Sequence, residues 1–190
     1  MANTLKGKKI AILVADGFEQ VELTKPKQAL EDAGAETKIV SPADGKVQGM
    51  NHDKPADKVS VDVPLSSANA NDFDGLHLPG GVMNPDQLRT IPEAVNFVKS
   101  FFDNGKPVSA ICHGSWTMIE ADVVKGRTLT SWPSLKTDLK NAGANWIDRE
   151  VVRDKNLVTS RKPEDIPAFN REIVSLFAEG SANTQQKKVA

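Results

Sequence analysis

The one cysteine of the chain sits in Ala110-Ile111-Cys112-His113-Gly114-Ser115, an apolar run that ends abruptly in a histidine and a glycine. A strand does not need those two residues at that point, whereas an activated thiol does. A sharp turn from strand into helix lifts a nucleophile out of a sheet and sets it at a helix N-terminus, where backbone N–H groups favour the thiolate. The competing reading of a lone cysteine in an apolar strand is core filler, and His113-Gly114 weighs against it. Two further segments follow apolar strands in the same manner. Leu78-Pro79-Gly80-Gly81 ends one, and paired glycines let amides approach an oxygen as an oxyanion hole requires. Asp16-Gly17-Phe18-Glu19-Gln20-Val21-Glu22 ends another. Glu19 suits the start of a helix dipole. Glu22, one turn on, reaches the thiol if the strands are neighbours. Two anions so close do not both ionise, so the expected state is a thiolate of lowered pKa beside a protonated Glu22.

The elements that must position these residues alternate between strand and helix. Lys9 to Val14, Glu36 to Val40, Asp74 to Leu78, Val108 to Ile111 and Thr128 to Ser131 read as strands, and Leu157 to Ser160 pairs with Glu150 to Val152 about a turn at Asp154-Lys155-Asn156. Helices are expected over Val21 to Ala33, broken at Pro26, and over Pro92 to Asn104, Ser115 to Ala121, Pro133 to Asn141 and Asp165 to Phe177. Ser41 to Lys58 is polar and turn-rich, and the alternation of Val59, Val61 and Val63 marks an edge or hairpin strand. This order gives an open, doubly wound α/β sandwich with a mostly parallel sheet, whose ligands bind beyond the carboxyl ends of the strands.

At 190 residues the chain is expected to form one domain over residues 1–179, with a polar, flexible tail over 180–190. The 24 basic and 25 acidic side chains leave a net charge of -1, which gives no footprint for nucleic acid or an anionic membrane. No apolar stretch has the length of a signal-peptide core or a spanning helix, so a cytoplasmic protein is expected. A single cysteine excludes an internal disulfide and a cysteine-rich zinc site. Of the three histidines, His77 reads as a structural strand residue and His52 as a solvated loop residue, so no metal site is assembled. Trp132 and Trp146 read as core or interface aromatics, while Trp116, close to Cys112, can line a pocket.

Taken in order, DGFEQVEL, FDGLHLPGG, GKPVSAICHGS, NAGANWIDREVV and TSRKPEDIPAFNRE closely resemble the PfpI-type intracellular protease family, within the class I glutamine amidotransferase-like superfamily. The resemblance runs from Lys9 to Phe177. It implies a flavodoxin-like sandwich that assembles at least as a homodimer, needs no cofactor and carries a cysteine nucleophile. By the same resemblance Cys112 is the nucleophile, His113 its base and Glu22 the carboxyl bonded to the thiol. Asp86 matches the acid that a neighbouring subunit donates, and the amides of Gly80, Gly81 and His113 match the oxyanion donors. Three departures stand out. Ser115 and Trp116 replace a proline and a polar residue, Asp86 lies one residue further from Gly81, and Lys162-Pro163-Glu164 stands where an amidotransferase has a histidine. The last excludes glutaminase chemistry.

The reaction class implied is attack of the Cys112 thiolate on a carbonyl, in a stress-response enzyme. Two substrate classes follow from the resemblance: peptide bonds, or reactive dicarbonyls and their adducts in glyoxalase-like or deglycase-like chemistry. A site built from short side chains without an extended groove favours small carbonyls. The rival from another class is a sensor of oxidative stress, in which Cys112 is itself oxidised beside Glu22.

Overall fold

The computed structural model describes residues 4–186, with side chains through Gly180. Its strands are β1 (Lys9–Leu13), β2 (Phe18–Glu19), β3 (Glu36–Ser41), β4 (Lys46–Asn51), β5 (Lys54–Ser60), β6 (Val63–Pro64), β7 (Gly75–Leu78), β8 (Val108–Ile111), β9 (Thr128–Leu129), β10 (Asn145–Trp146), β11 (Val151–Asp154) and β12 (Leu157–Ser160). The helices are α1 (Gln20–Asp32), α2 (Met83–Leu88), α3 (Pro92–Asp103), α4 (Ser115–Glu120), α5 (Lys136–Asn141) and α6 (Ile166–Gln186).

Seven strands form the central sheet in the order β11-β12-β8-β7-β1-β3-β6. Every pairing in it is parallel except β11 with β12. The residues of β7, β8 and β12 are all buried, as expected for continuous apolar strands covered on both faces. One face packs Leu76, Val108 and Ala110 against Val98, Phe101 and Met118 from α3 and α4. The other packs Ile10, Ile111 and Val158 against Leu30 of α1 and Phe169, Ile173 and Phe177 of α6. The fold is thus a flavodoxin-like α/β sandwich, and β8, β7 and β1 are adjacent. Their carboxyl ends, which carry Cys112, Gly80-Gly81 and the segment leading to Glu22, open on one rim of the sheet.

Several expected elements shift. Ser41 to Lys58, read as turns, holds most of a hairpin: β4 pairs antiparallel with β5, and β2 joins them in a small second sheet. Thr128–Leu129 pairs with β10 outside the central sheet. Helix α1 runs through Pro26 unbroken. Helix α6 continues past Phe177 to Gln186, and residues 187–190 of the expected tail lie outside the described residues. Among the described residues no helix is long and apolar enough to cross a membrane.

Candidate active site

Cys112 directly follows β8 with a positive φ of 60°, the left-handed conformation that a residue with a Cβ adopts only under constraint. A single 3₁₀ turn, Cys112–Gly114, then leads into α4. Two glycines make this elbow possible. A Cβ on Gly114 would stand 2.5 Å from the Leu78 carbonyl oxygen, and one on Gly80 would stand 2.6 Å from Glu22 Oε2 and 2.7 Å from the Cys112 Cβ. The ends of β7 and β8 therefore meet at a distance that only glycine permits.

Glu22, in the first turn of α1, is fully buried. Its Oε2 accepts the Gly80 N–H at 2.9 Å. The other oxygen, Oε1, is buried without a well-formed hydrogen bond, and the Cys112 thiol is the polar group beside the carboxyl. Burial drives the Glu22 pKa up to about 8, against the pull of the Gly80 amide and the thiol, and the nearby Glu19 charge adds to the rise. Glu22 therefore carries its proton at neutral pH. Burial also pushes the Cys112 thiol up, with the Glu22 carboxylate as second cause, while the amides of His113 and Gly81 pull the other way. The thiol pKa expected to be low is raised instead. The sequence showed the helix N-terminus but not a cysteine left only 7% exposed. Deprotonating one member of such a pair disfavours loss of the second proton, so Glu22 and Cys112 titrate as a unit.

His113 lies on the other side of the sulfur, with Nδ1 3.3 Å from Cys112 Sγ and Nε2 3.3 Å from Ser134 Oγ. Burial lowers its pKa to about 4, so the ring is neutral at pH 7 and able to accept a proton. Trp132 stacks on it at 6.0 Å between centroids and Trp116 meets it edge-on at 5.2 Å. Trp116 is itself anchored by donating its Nε1–H to Asp138 at 2.9 Å, and the Arg89 guanidinium lies over its ring.

Cys112, His113, Glu22, Gly80, Gly81 and Trp116 are thus brought together within one chain. Gly80 differs from its expected role, because its N–H is donated to Glu22 and is not free for an oxyanion; the amides facing the sulfur are those of Gly81 and His113. Asp86 stands apart. It is exposed on α2, its carboxylate makes no hydrogen bond or ion pair among the described residues, and within this chain the hydrogen-bonding neighbour of His113 Nε2 is Ser134. Asp86 instead lines a groove of about 630 Å³ with Arg89, Thr90 and Glu120, and none of the thiol's neighbours lines that groove. Among the described residues no three His, Cys, Asp or Glu side chains cluster as metal ligands would.

Sequence reasoning passed over Asn84. Fully buried, it accepts the Ala15 N–H at 2.7 Å and donates to the carbonyls of Pro79 and Gly80 at 2.9 and 3.0 Å, tying the end of β1 to the glycine turn after β7. An asparagine before a proline just past Gly-Gly is a turn signal that could have drawn notice. Trp132 and Ser134 were missed as neighbours of His113 because only the fold returns residues that far along the chain to the elbow. Glu19 has no role as a side-chain cap; it accepts the His52 N–H at 3.0 Å instead, which fastens the tip of the β4–β5 hairpin beside the site.

The model of the DJ-1/PfpI family matches residues 8–176. The putative cysteine protease YraA of Bacillus subtilis is 46% identical over 170 residues, covering 90% of this chain and 98% of its own. The uncharacterized protein SH1084 of Staphylococcus haemolyticus is 48% identical over 170 residues, covering 88% and 96%. Among solved structures, a protein of Anabaena variabilis with DJ-1/ThiJ/PfpI-like and ferritin-like domains superimposes with a TM-score of 0.84 at 35% identity; the match covers 92% of this chain and 49% of that one. Drosophila melanogaster DJ-1beta gives 0.81 at 26% identity, covering 100% and 99%. A strand-to-helix elbow bearing Cys112 between a buried carboxyl and a neutral imidazole, on this sandwich, thus has relatives along nearly its whole length: the chain belongs to the DJ-1/PfpI family.

Proposed function

We propose that this chain is a cofactor-free, cysteine-dependent enzyme of the stress response, acting in the reducing cytoplasm on small reactive dicarbonyls and their adducts. The observation that carries the reading is the placement of Cys112 Sγ, 3.3 Å from a neutral His113 Nδ1 and beside a protonated Glu22, at a strained elbow. As the sulfur adds to the aldehyde carbon of an α-dicarbonyl, His113 takes the thiol proton and passes it to the carbonyl oxygen, which gives a hemithioacetal. Transfer of the carbon-bound hydrogen, as a proton, to the neighbouring carbon, together with transfer of the hydroxyl proton to that carbon's oxygen, converts this adduct to a thioester. Water then cleaves the thioester, releasing a 2-hydroxy acid and restoring the thiol. The low exposure of Cys112, beside an imidazole flanked by two tryptophans, favours small substrates over folded proteins. Peptides stay in the test because a close relative bears the name of a putative cysteine protease.

Asp86 belongs to the same proposal as an acid offered to the site of a second copy. It is exposed and unpaired among the described residues, and it follows the exposed Val82 and Met83, an apolar pair suited to burial in a homodimer. A second reading, oxidation of Cys112 in a sensor, draws on the protonated Glu22 and its unpaired Oε1, a donor suited to an oxidised sulfur.

One set of assays tests these readings. Wild type, Cys112→Ala, Asp86→Ala and an equimolar mixture of the two variants are given methylglyoxal, a glycated amine and a fluorogenic peptide. Wild type is expected to turn methylglyoxal into hydroxy acid, each variant alone to be inactive, and the mixture to regain roughly a quarter of wild-type activity through hybrid dimers with one intact site. Absence of Cys112-dependent turnover on all three substrates overturns the enzyme. Stoichiometric oxidation of Cys112 in its place establishes the sensor.

A further inference from the structure

Pro26 lies inside α1 and has no backbone N–H, so the carbonyl of Glu22, four residues earlier, receives no helical hydrogen bond from it. A buried carbonyl left in that condition is costly, and a proline there commonly kinks or ends a helix. Here the missing donor comes from the sheet. His77 Nε2, on β7, stands 2.9 Å from the Glu22 carbonyl oxygen, and both residues are fully buried. A carbonyl can only accept, so Nε2 carries the ring proton, and Nδ1 then accepts from the Ser109 hydroxyl at 3.0 Å. Phe169 of α6 packs against the ring at 5.8 Å.

The residue whose backbone is held in this way is the one whose side chain meets the thiol. Its Oε2 accepts from Gly80, just past the end of the strand that carries His77. Both the backbone and the carboxyl of Glu22 are therefore referred to β7, the strand beside β8 and Cys112. With an ordinary residue at 26, the Glu22 carbonyl would accept a hydrogen bond along its own helix and would need no donor from the sheet.

We propose that His77 is a positioning residue, which replaces the helical hydrogen bond removed by Pro26 and so fixes the Glu22 carboxyl against Cys112. The proposal rests on the reading that Glu22 shares a proton with the thiol. It assigns Pro26 and His77 as a matched pair, of which neither residue touches sulfur or substrate.

The pH dependence of Cys112 alkylation by iodoacetamide tests it, since the chain has no other thiol and no substrate is required. Glu22→Leu sets the scale by shifting the midpoint. His77→Leu is expected to shift it in the same direction by at least half as much. Adding Pro26→Ala to His77→Leu, which returns an N–H to the Glu22 carbonyl, is expected to move the midpoint back toward wild type. His77→Gln, whose amide N–H can stand in for Nε2–H, should stay near wild type. If His77→Leu does not fold, His77→Asn replaces it, because the shorter amide meets Ser109 but not Glu22. A His77→Leu midpoint at the wild-type value while Glu22→Leu moves, or a shift that Pro26→Ala does not reverse, overturns the positioning role alone. A Glu22→Leu midpoint equal to wild type overturns the Glu22–thiol reading beneath it.

Discussion

Two histidines of this chain share a chemistry and differ in surroundings. His77 and His113 are both buried, both hydrogen-bonded to a serine hydroxyl, and both held by burial at a pKa of about 4. The second nitrogen makes the difference. In His77 it donates to a backbone carbonyl, which neither gives nor takes a proton in this pH range, so the ring is locked in one tautomer inside the sheet. In His113 it faces a thiol at the rim, where the same neutral ring is placed as the proposed base would be. A lowered imidazole pKa is thus no mark of catalysis by itself; the partner of the other nitrogen decides.

The largest expected effect separates the two rings. His113→Ala should lower turnover by about 10² to 10⁴, the usual worth of a positioned base, with a smaller loss of stability than at His77. His77→Ala should instead cost about 3 to 5 kcal/mol, because it opens a cavity and leaves the Glu22 carbonyl unpaired. Turnover per folded molecule should then fall only about tenfold, a modest share of the loss at His113. Chemical denaturation and steady-state rates on both variants check this. Unfolding by His113→Ala as severe as that by His77→Ala would erase the distinction.

A middle-sized effect sharpens the contrast between the neutral rings and the buried acid beside them. Both histidines have folded pKa values of about 4, below the ordinary 6.5, so the stability they contribute is complete above about pH 6.5 and is lost as pH falls toward 4. Glu22 runs the other way. Its folded value of about 8 lies above the ordinary 4.5, so its contribution is complete below about pH 4.5 and is lost as pH rises through 8. Between pH 4.5 and 6.5 the slopes oppose, and from 6.5 to 8 that of Glu22 remains. Wild type should lose on the order of 2 kcal/mol across this upper window. Glu22→Gln, neutral throughout, should stay flat. Urea denaturation at pH 6.5, 7.2 and 8.0 reads the two slopes, and parallel slopes would place the proton elsewhere.

How far the sequence reached follows from what each feature depends on. The elbow at Cys112, the glycine turn after β7 and the alternation of strands with helices are local patterns, and these were legible; the adjacency of β8, β7 and β1, on which the reach of Glu22 depends, came only with the fold. The β4–β5 hairpin was not, because of its β4 residues only Val47 and Gly49 are buried and the rest reads as a polar loop. Pro26 looked like a helix break because its compensating donor, His77, lies on a strand far along the chain. The thiol pKa went astray for the same reason, since the His113 amide that lowers it is local while the burial that raises it is tertiary. Asp86 shows a further limit: it is exposed and has no side-chain partner among the described residues, so one chain does not test the role that the resemblance gave it.

The smallest effects concern the serines, and they isolate the surroundings from the rings. Ser109 is a fully buried residue of β8 paired with His77 on β7, so Ser109→Ala leaves the Nδ1 lone pair of His77 without a partner or access to water. An acceptor stranded in this way costs roughly 1 to 3 kcal/mol, and the loss should appear in the melting temperature with little change in rate. Ser134 is exposed in the 3₁₀ turn Pro133–Leu135, where water can replace its hydroxyl at His113 Nε2. Ser134→Ala should therefore change stability by no more than about 0.5 kcal/mol. Its trace should be kinetic instead. The Nε2–H form, which leaves Nδ1 free to take the thiol proton, loses a fixed acceptor, so turnover should fall by a few-fold while the KM stays put. A Ser134→Ala protein that melts as early as Ser109→Ala would mean that the His113 ring is as sealed as His77, and the rim would lose its claim to be where the chemistry is done.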